Sequence, residues 1–327
     1  MCKTEKELKM RKCVCPLFLF VTAIAVLSSG TVSAKGFAPP GRSIDAIVSP
    51  TWLSENGDLA DLVILDVRAS DTYLIEHIPG SINAPFEVPF SAWITMRDDL
   101  LLEIPDEAEL FDAIGALGID THSKVVVVSE PNEGEPPYYG LSASTRVADT
   151  LIYAGVVDVA VLDGGYPGWV AEGLPVTDEV PTVTAVTFDG AVDNHMFVSA
   201  SYVERHLMFA DVIDARDADV YFGATIEVFA DKEGHIFGAS SLPSPWIWDT
   251  NDDVVYTFKD AQLLADMASR VTHWGLREVI VYCGVGGYAS AWWFVLTQVL
   301  GYRDVKFYDG AAQEWVRDHD MIPFRWQ

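Results

Sequence analysis

Cysteine is scarce in this chain. Its 327 residues include four, Cys2, Cys13, Cys15 and Cys283, and three of them lie at the extreme N-terminus. If that stretch is removed, Cys283 stands alone, no internal disulfide can form, and an oxidising compartment cannot staple the fold. Positive charge is scarce too: 21 Lys and Arg face 48 Asp and Glu, a net −27. Such a surface repels nucleic acid and anionic lipid headgroups, so neither is expected as a partner. No Cys/His spacing suits a metal, and no glycine fingerprint follows an early strand to hold a dinucleotide. The expectation is therefore no metal and no cofactor.

The N-terminus reads as an export signal over residues 1–34. Lys3, Lys9, Arg11 and Lys12 form a positive start, Leu17 to Leu27 an apolar run, and Val32-Ser33-Ala34 a small-residue cleavage site. The apolar stretch from Cys13 falls short of the ~20 residues a membrane helix needs. The expected location is periplasmic or secreted, with an uncleaved anchor facing outward as the alternative, the only case that involves a membrane. Cleavage after Ala34 would move the formal charge from −27 to −30.

The remainder repeats itself. Val63-Ile64-Leu65-Asp66-Val67-Arg68 and His77-Ile78-Pro79-Gly80 in the first half are answered by Val212-Ile213-Asp214-Ala215-Arg216 and Gly234-His235-Ile236-Phe237-Gly238 in the second. Val125–Val128 parallels Val279–Tyr282, and Val159 to Gly164 with Trp169 parallels Val305 to Gly310 with Trp315. Short apolar runs without polar alternation are strands buried on both faces. Each half is therefore expected to be an α/β domain, a parallel central sheet with helices on both faces. The expected boundaries are 40–175 for the first domain, 176–194 for a linker rich in Pro, Thr, Val and Asp, and 195–327 for the second. Ser49 and Ser199 suit helix N-caps. Trp246 with Trp248, and Trp292 with Trp293, read as core or interface material.

Cys283 ends one of the apolar runs. Gly284-Val285-Gly286-Gly287-Tyr288-Ala289 follows, and then the helix-like Ala291 to Leu296. A thiol at a strand end, facing free backbone N–H groups and a helix N-terminus, sits where a thiolate is stabilised. Cys283 is the candidate nucleophile, and the amides of residues 284–289 form its cradle. A cysteine phosphatase would need an Arg after five intervening residues to bind phosphate oxygens; that position is Ala289.

The paired Asp-x-Arg … His-Ile-x-Gly segments, the single strand–Cys–loop–helix, and Tyr308-Asp309-Gly310 with Glu314-Trp315 resemble the tandem-domain rhodanese sulfurtransferases. The resemblance spans roughly residues 44–325. It implies a silent first domain, with Ser129 at the position equivalent to the cysteine, and a catalytic second domain. Cys283 would take sulfur from thiosulfate or a mercapto-acid, hold it as a persulfide, and pass it to a thiol or cyanide.

Several positions depart from the pattern. The loop Cys283-Gly284-Val285-Gly286 leans towards mercaptopyruvate-type members, but Val285 removes their hydroxyl. Asp66 and His77 match the Asp and His of a proton-handling set proposed for those members, and Val285 breaks that set. Val220 stands where an Arg commonly holds the donor anion. Arg216, His77 and Asp66 remain candidates for substrate or proton handling, although Asp66 with Arg68 and Asp214 with Arg216 read first as fold-holding pairs. Two rival readings stand beside the enzyme: a persulfide carrier serving a sulfur-accepting protein, and a catalytically silent binding module.

Overall fold

Each half of the repeat folds around its own five-stranded parallel sheet. The computed structural model describes residues 39, 41–132, 136–250 and 255–324. The expected signal over residues 1–34 lies outside them.

The first sheet comprises β1 (Ile47–Val48), β2 (Leu62–Asp66), β3 (Ile82–Asn83), β6 (Lys124–Val128) and β7 (Asp158–Leu162), in the order β1-β7-β6-β2-β3. Between β3 and β6 the chain makes a hairpin of β4 (Thr95–Arg97) and β5 (Leu100–Glu103). The second sheet comprises β8 (Phe197–Val198), β9 (Asp211–Asp214), β10 (Ser240–Ser241), β13 (Val279–Tyr282) and β14 (Val305–Tyr308), in the order β8-β14-β13-β9-β10. A further antiparallel pair, β11 (Trp248–Thr250) and β12 (Tyr256–Phe258), precedes β13. The two main sheets are one topology written twice, as the repeat predicts.

Alternation along the central strands explains their composition. Val125 and Val127 face one core while Val126 and Val128 face another. Val279, Val281 and Cys283 likewise enter a different core from Ile280 and Tyr282. A strand with apolar neighbours on both faces has no position for a polar side chain. Fully burying each such Val contributes roughly 1.5–3 kcal/mol.

The Asp-x-Arg pairs close each domain in the same way. Asp66 Oδ1 and Asp214 Oδ1 each accept from the Arg backbone N–H two residues on, both at 3.0 Å. The guanidinium groups of Arg68 and Arg216 return to the same carboxylates and reach the carbonyls of Glu76 at 2.9 Å and Gly234 at 2.7 Å. His77 stacks on Tyr73 at 3.8 Å and His235 on Tyr221 at 3.9 Å. Ser49 caps its helix by accepting from Trp52 N at 3.1 Å. Ser199 holds the matching place, but its hydroxyl pairs with Ser201 instead.

The 176–194 stretch forms no helix and lies along the first domain, where Val186 N donates to Gly115 O and Phe188 joins the core. The domains meet through the helices Tyr138–Tyr153 and Gly287–Phe294. Trp248, Trp292 and Trp293 are buried, and Trp248 stacks on Tyr138 across the interface. Trp246 departs from the expectation: its ring is half exposed. Among the described residues no helix is long and apolar enough to cross a membrane.

Candidate active site

Cys283 follows the last residue of β13, and its Sγ is enclosed by the loop that follows. Gly286 N donates to Sγ at 3.1 Å, and the amides of Val285 and Ala289 also favour the thiolate. Gly286 adopts φ +94°, a left-handed conformation that turns its N–H back towards the sulfur. The helix Gly287–Phe294 starts immediately afterwards, its N-terminus towards the loop. The loop is pinned from below: Cys283 O accepts from Ala312 N at 2.9 Å and Gly284 O from Gln313 N at 3.1 Å.

A cavity of about 260 Å³ opens above Cys283. Its floor is Cys283, Gly284, Val285, Gly287 and Tyr288. Its roof comes from the first domain: Phe86 and Val88, Leu101 and Leu102 of β5, and Tyr139, Ser142 and Ala143 of the interface helix. Beside it lies a second cleft at the equivalent place in the first domain, lined by Ser129, Arg68 and Glu130. The two clefts share Phe86, Val88, Asn132, Tyr139 and Ala143.

The β4–β5 hairpin holds the roof down. Gln313 of the second domain bonds both Leu101 N and Leu101 O, at 3.0 and 2.8 Å. Asp309 Oδ2 accepts from Ile104 N at 2.8 Å. Arg146, fully buried, donates to Asp309 Oδ1 at 2.7 Å and to Leu102 O at 2.6 Å. Leu102 takes φ +59°, a left-handed conformation costly for a side-chain-bearing residue, at the point where it enters the cavity wall.

At the thiol two influences oppose one another. Burial, then the neighbouring Glu227 carboxylate, push the Cys283 thiol up to about 11, against the opposing pull of the amides. Glu227 is the one acidic or basic side chain among the described residues lining the cavity, and no Lys or Arg joins it there. Its carboxylate lies against Gly284, where any Cβ would collide with it. Arg216 approaches it from behind at 3.4 Å. Burial raises the Glu227 carboxyl to about 7, with Arg216 opposing.

The three other candidates fall elsewhere. Arg216 is nearly inaccessible, occupied by Asp214 and Gly234 O, and meets the site only through Glu227. Asp66 is fully buried against Arg68 and does not line the cavity. His77 is also fully buried, with Nδ1 2.7 Å from Tyr73 O and Nε2 3.1 Å from Glu179 O. The structure thus brings neither Asp66 nor His77 to Cys283, because the first domain's copy of the motif is used to close its own fold. Val220 is half-buried in the short helix Ala218–Tyr221 and does not line the cavity.

Sequence reasoning missed Glu227 and the β4–β5 roof. A signal for Glu227 was present: the connection from Asp214-Ala215-Arg216 to Gly234-His235 is longer than its counterpart from Asp66 to His77, and Glu227 lies in the excess. Among the described residues, no cluster of His, Cys, Asp and Glu is disposed to hold a metal.

Two parallel-sheet domains, the cysteine loop of the second roofed by the first, define a tandem-domain α/β protein. The profile of the rhodanese-like domain matches residues 49–172 and 199–318, and the chain belongs to that family as a tandem rhodanese sulfurtransferase. The "Putative thiosulfate sulfurtransferase" of Synechococcus elongatus is 30% identical over 90% of this chain and 92% of its own length. The sulfur carrier protein TtuD of Thermus thermophilus is 28% identical over 86% and 95%. Among solved structures, an anaerobic ergothioneine biosynthesis enzyme from Chlorobium limicola, in complex with trimethyl histidine, shares the fold. It aligns at TM-score 0.70 and 22% identity, over 85% of this chain and 71% of that one. At the level of the family, the activity is sulfur transfer.

Proposed function

We propose that this protein is an exported sulfurtransferase that carries sulfane sulfur as a Cys283 persulfide. The observation that carries the reading is the Gly286 N–H donated to Cys283 Sγ at 3.1 Å on the floor of a roofed cavity. Attack by the thiolate on the outer sulfur of a donor breaks the donor's bond to that sulfur and forms Cys283–S–S⁻. The anion then faces the amides of Val285, Gly286 and Ala289 and the following helix N-terminus, which stabilise it without a cation. Transfer to a thiol or cyanide restores the enzyme, so neither metal nor cofactor takes part in this scheme. Thiosulfate and mercaptopyruvate are the donors to which the sequence points.

Export rests on the basic and apolar N-terminal segment, and N-terminal sequencing of the secreted or periplasmic form tests it. A second reading is a persulfide carrier that loads a partner protein. It is favoured by the relative named as a sulfur carrier protein and by the absence of a cation from the described cavity lining.

Intact-mass spectrometry tests the chemistry. One added sulfur after incubation with a sulfane-sulfur donor, removed by reductant and absent in Cys283→Ser, is the expected result. No added sulfur from any donor overturns the persulfide.

A further inference from the structure

The donors named above are anions, and the cavity is built against them. Its single formal charge among the described lining residues is the Glu227 carboxylate, beside Cys283. Two further groups lack partners inside the protein: the hydroxyls of Ser142 and Tyr288, both buried and both on the lining, make no hydrogen bond. Buried hydroxyls left unpaired are costly. The rings of Tyr139 and Tyr288 stack at 4.8 Å, and Phe229 adds a third aromatic side chain. A carboxylate and aromatic faces suit an ammonium group and an apolar body.

We infer that Glu227 sets the donor class of the Cys283 site, selecting an ammonium-bearing or uncharged organic hydropersulfide over thiosulfate. This rests on the persulfide reading above. The step balances without an oxidant. Cys283 Sγ attacks the outer sulfur of R–S–SH, the donor S–S bond breaks, and the Cys283 S–S bond forms. The thiol proton passes by way of the Glu227 carboxylate to the departing thiolate. The products are R–SH and the Cys283 persulfide.

Around Glu227 stand Arg216, Asp214 and Asp217 of its own domain, Cys283, and Tyr139 from the roof. The carboxyl ionises at about 7, so exclusion of an anion should strengthen as pH rises from 6 to 8.

The test is the rate of Cys283 persulfide formation, by rapid-quench mass spectrometry, with cysteamine persulfide and with thiosulfate as probes. The expected result is loading at least about tenfold faster from cysteamine persulfide, with the ratio growing between pH 6 and 8, since like charges at a desolvated site are strongly disfavoured. Glu227→Gln should shrink the ratio about tenfold and flatten its pH dependence, while Glu227→Asp, which keeps the charge, should preserve both. Circular dichroism and Cys283 alkylation confirm that the variants fold. Equal or faster loading from thiosulfate in the wild type, or an unchanged ratio in a folded Glu227→Gln, overturns the inference and leaves the persulfide standing. Loading from neither probe overturns the inference, and failure with mercaptopyruvate as well overturns the persulfide.

Discussion

Replacing Arg146 with Met should loosen the roof from the floor. Arg146 reaches from the first domain's helix to Asp309 Oδ1 at 2.7 Å and Leu102 O at 2.6 Å, with no exposure to solvent. Met retains most of the apolar stem, so little of the loss is packing. What remains is Asp309 with its charge nearly buried, next to Glu103, whose carboxyl burial and Asp309 already push up to about 8. Removing one partner of a buried pair costs about 3–5 kcal/mol, because the other charge is left uncompensated. At about 2–4 °C per kcal/mol for a chain of comparable size, the thermal midpoint should fall by about 6–20 °C. Calorimetry measures the fall, and the alkylation rate of Cys283 should rise in the same variant as the roof opens. Adding Asp309→Asn should recover part of the loss, since the orphaned charge is then gone. A single-variant cost below about 1 kcal/mol would refute the view that this buried pair clamps the domains.

Further outcomes follow from the same geometry. Glu103 is raised from its ordinary value of 4.5 to about 8; between those values the unfolded chain has lost a proton that the folded chain keeps. Its contribution to stability is therefore complete at low pH and lost as pH rises through about 8, and urea midpoints should show that slope flattened in Glu103→Gln. Gly286→Ala forces a side chain into φ +94°, with Asp309 Oδ1 3.3 Å from the new Cβ. It should cost about 1–3 kcal/mol and slow persulfide formation by displacing the amide that faces Sγ. His77→Ala should lower stability by about 1–3 kcal/mol through its lost hydrogen bonds, yet leave persulfide loading within about twofold, because His77 serves the first domain's turn; loading kinetics beside urea melts separate the two effects.

The fold was legible because its signals are local and doubled. Uninterrupted apolar runs at 125–128 and 279–282 read as strands covered on both faces, and matching Asp-x-Arg pairs gave two domains. Cys283 was legible for a similar reason, as a strand end followed by glycines. The roof was not. The hairpin turns at Asp98-Asp99, both with positive φ, where Asn-Gly or Asp-Gly would have announced it. The ionisation of Cys283 depends on its burial and then on Glu227, fifty-six positions away in the chain, which no local pattern connects to it. Asp66 and His77 misled because a repeated motif serves the same structural purpose in both copies, whatever chemistry one copy acquires.

The uneven lining of the cavity bears on how such a chain can change over time. Eight of the fifteen described residues that line the cavity at Cys283 belong to the domain that has no cysteine of its own. On the proposed chemistry that half makes no bond to sulfur, yet it forms much of the wall a donor would meet. Drift in Phe86, Leu101 or Tyr139 would alter the choice of cargo while leaving the nucleophile untouched. On that chemistry, a duplicated module can acquire new substrates through the copy that lacks the cysteine.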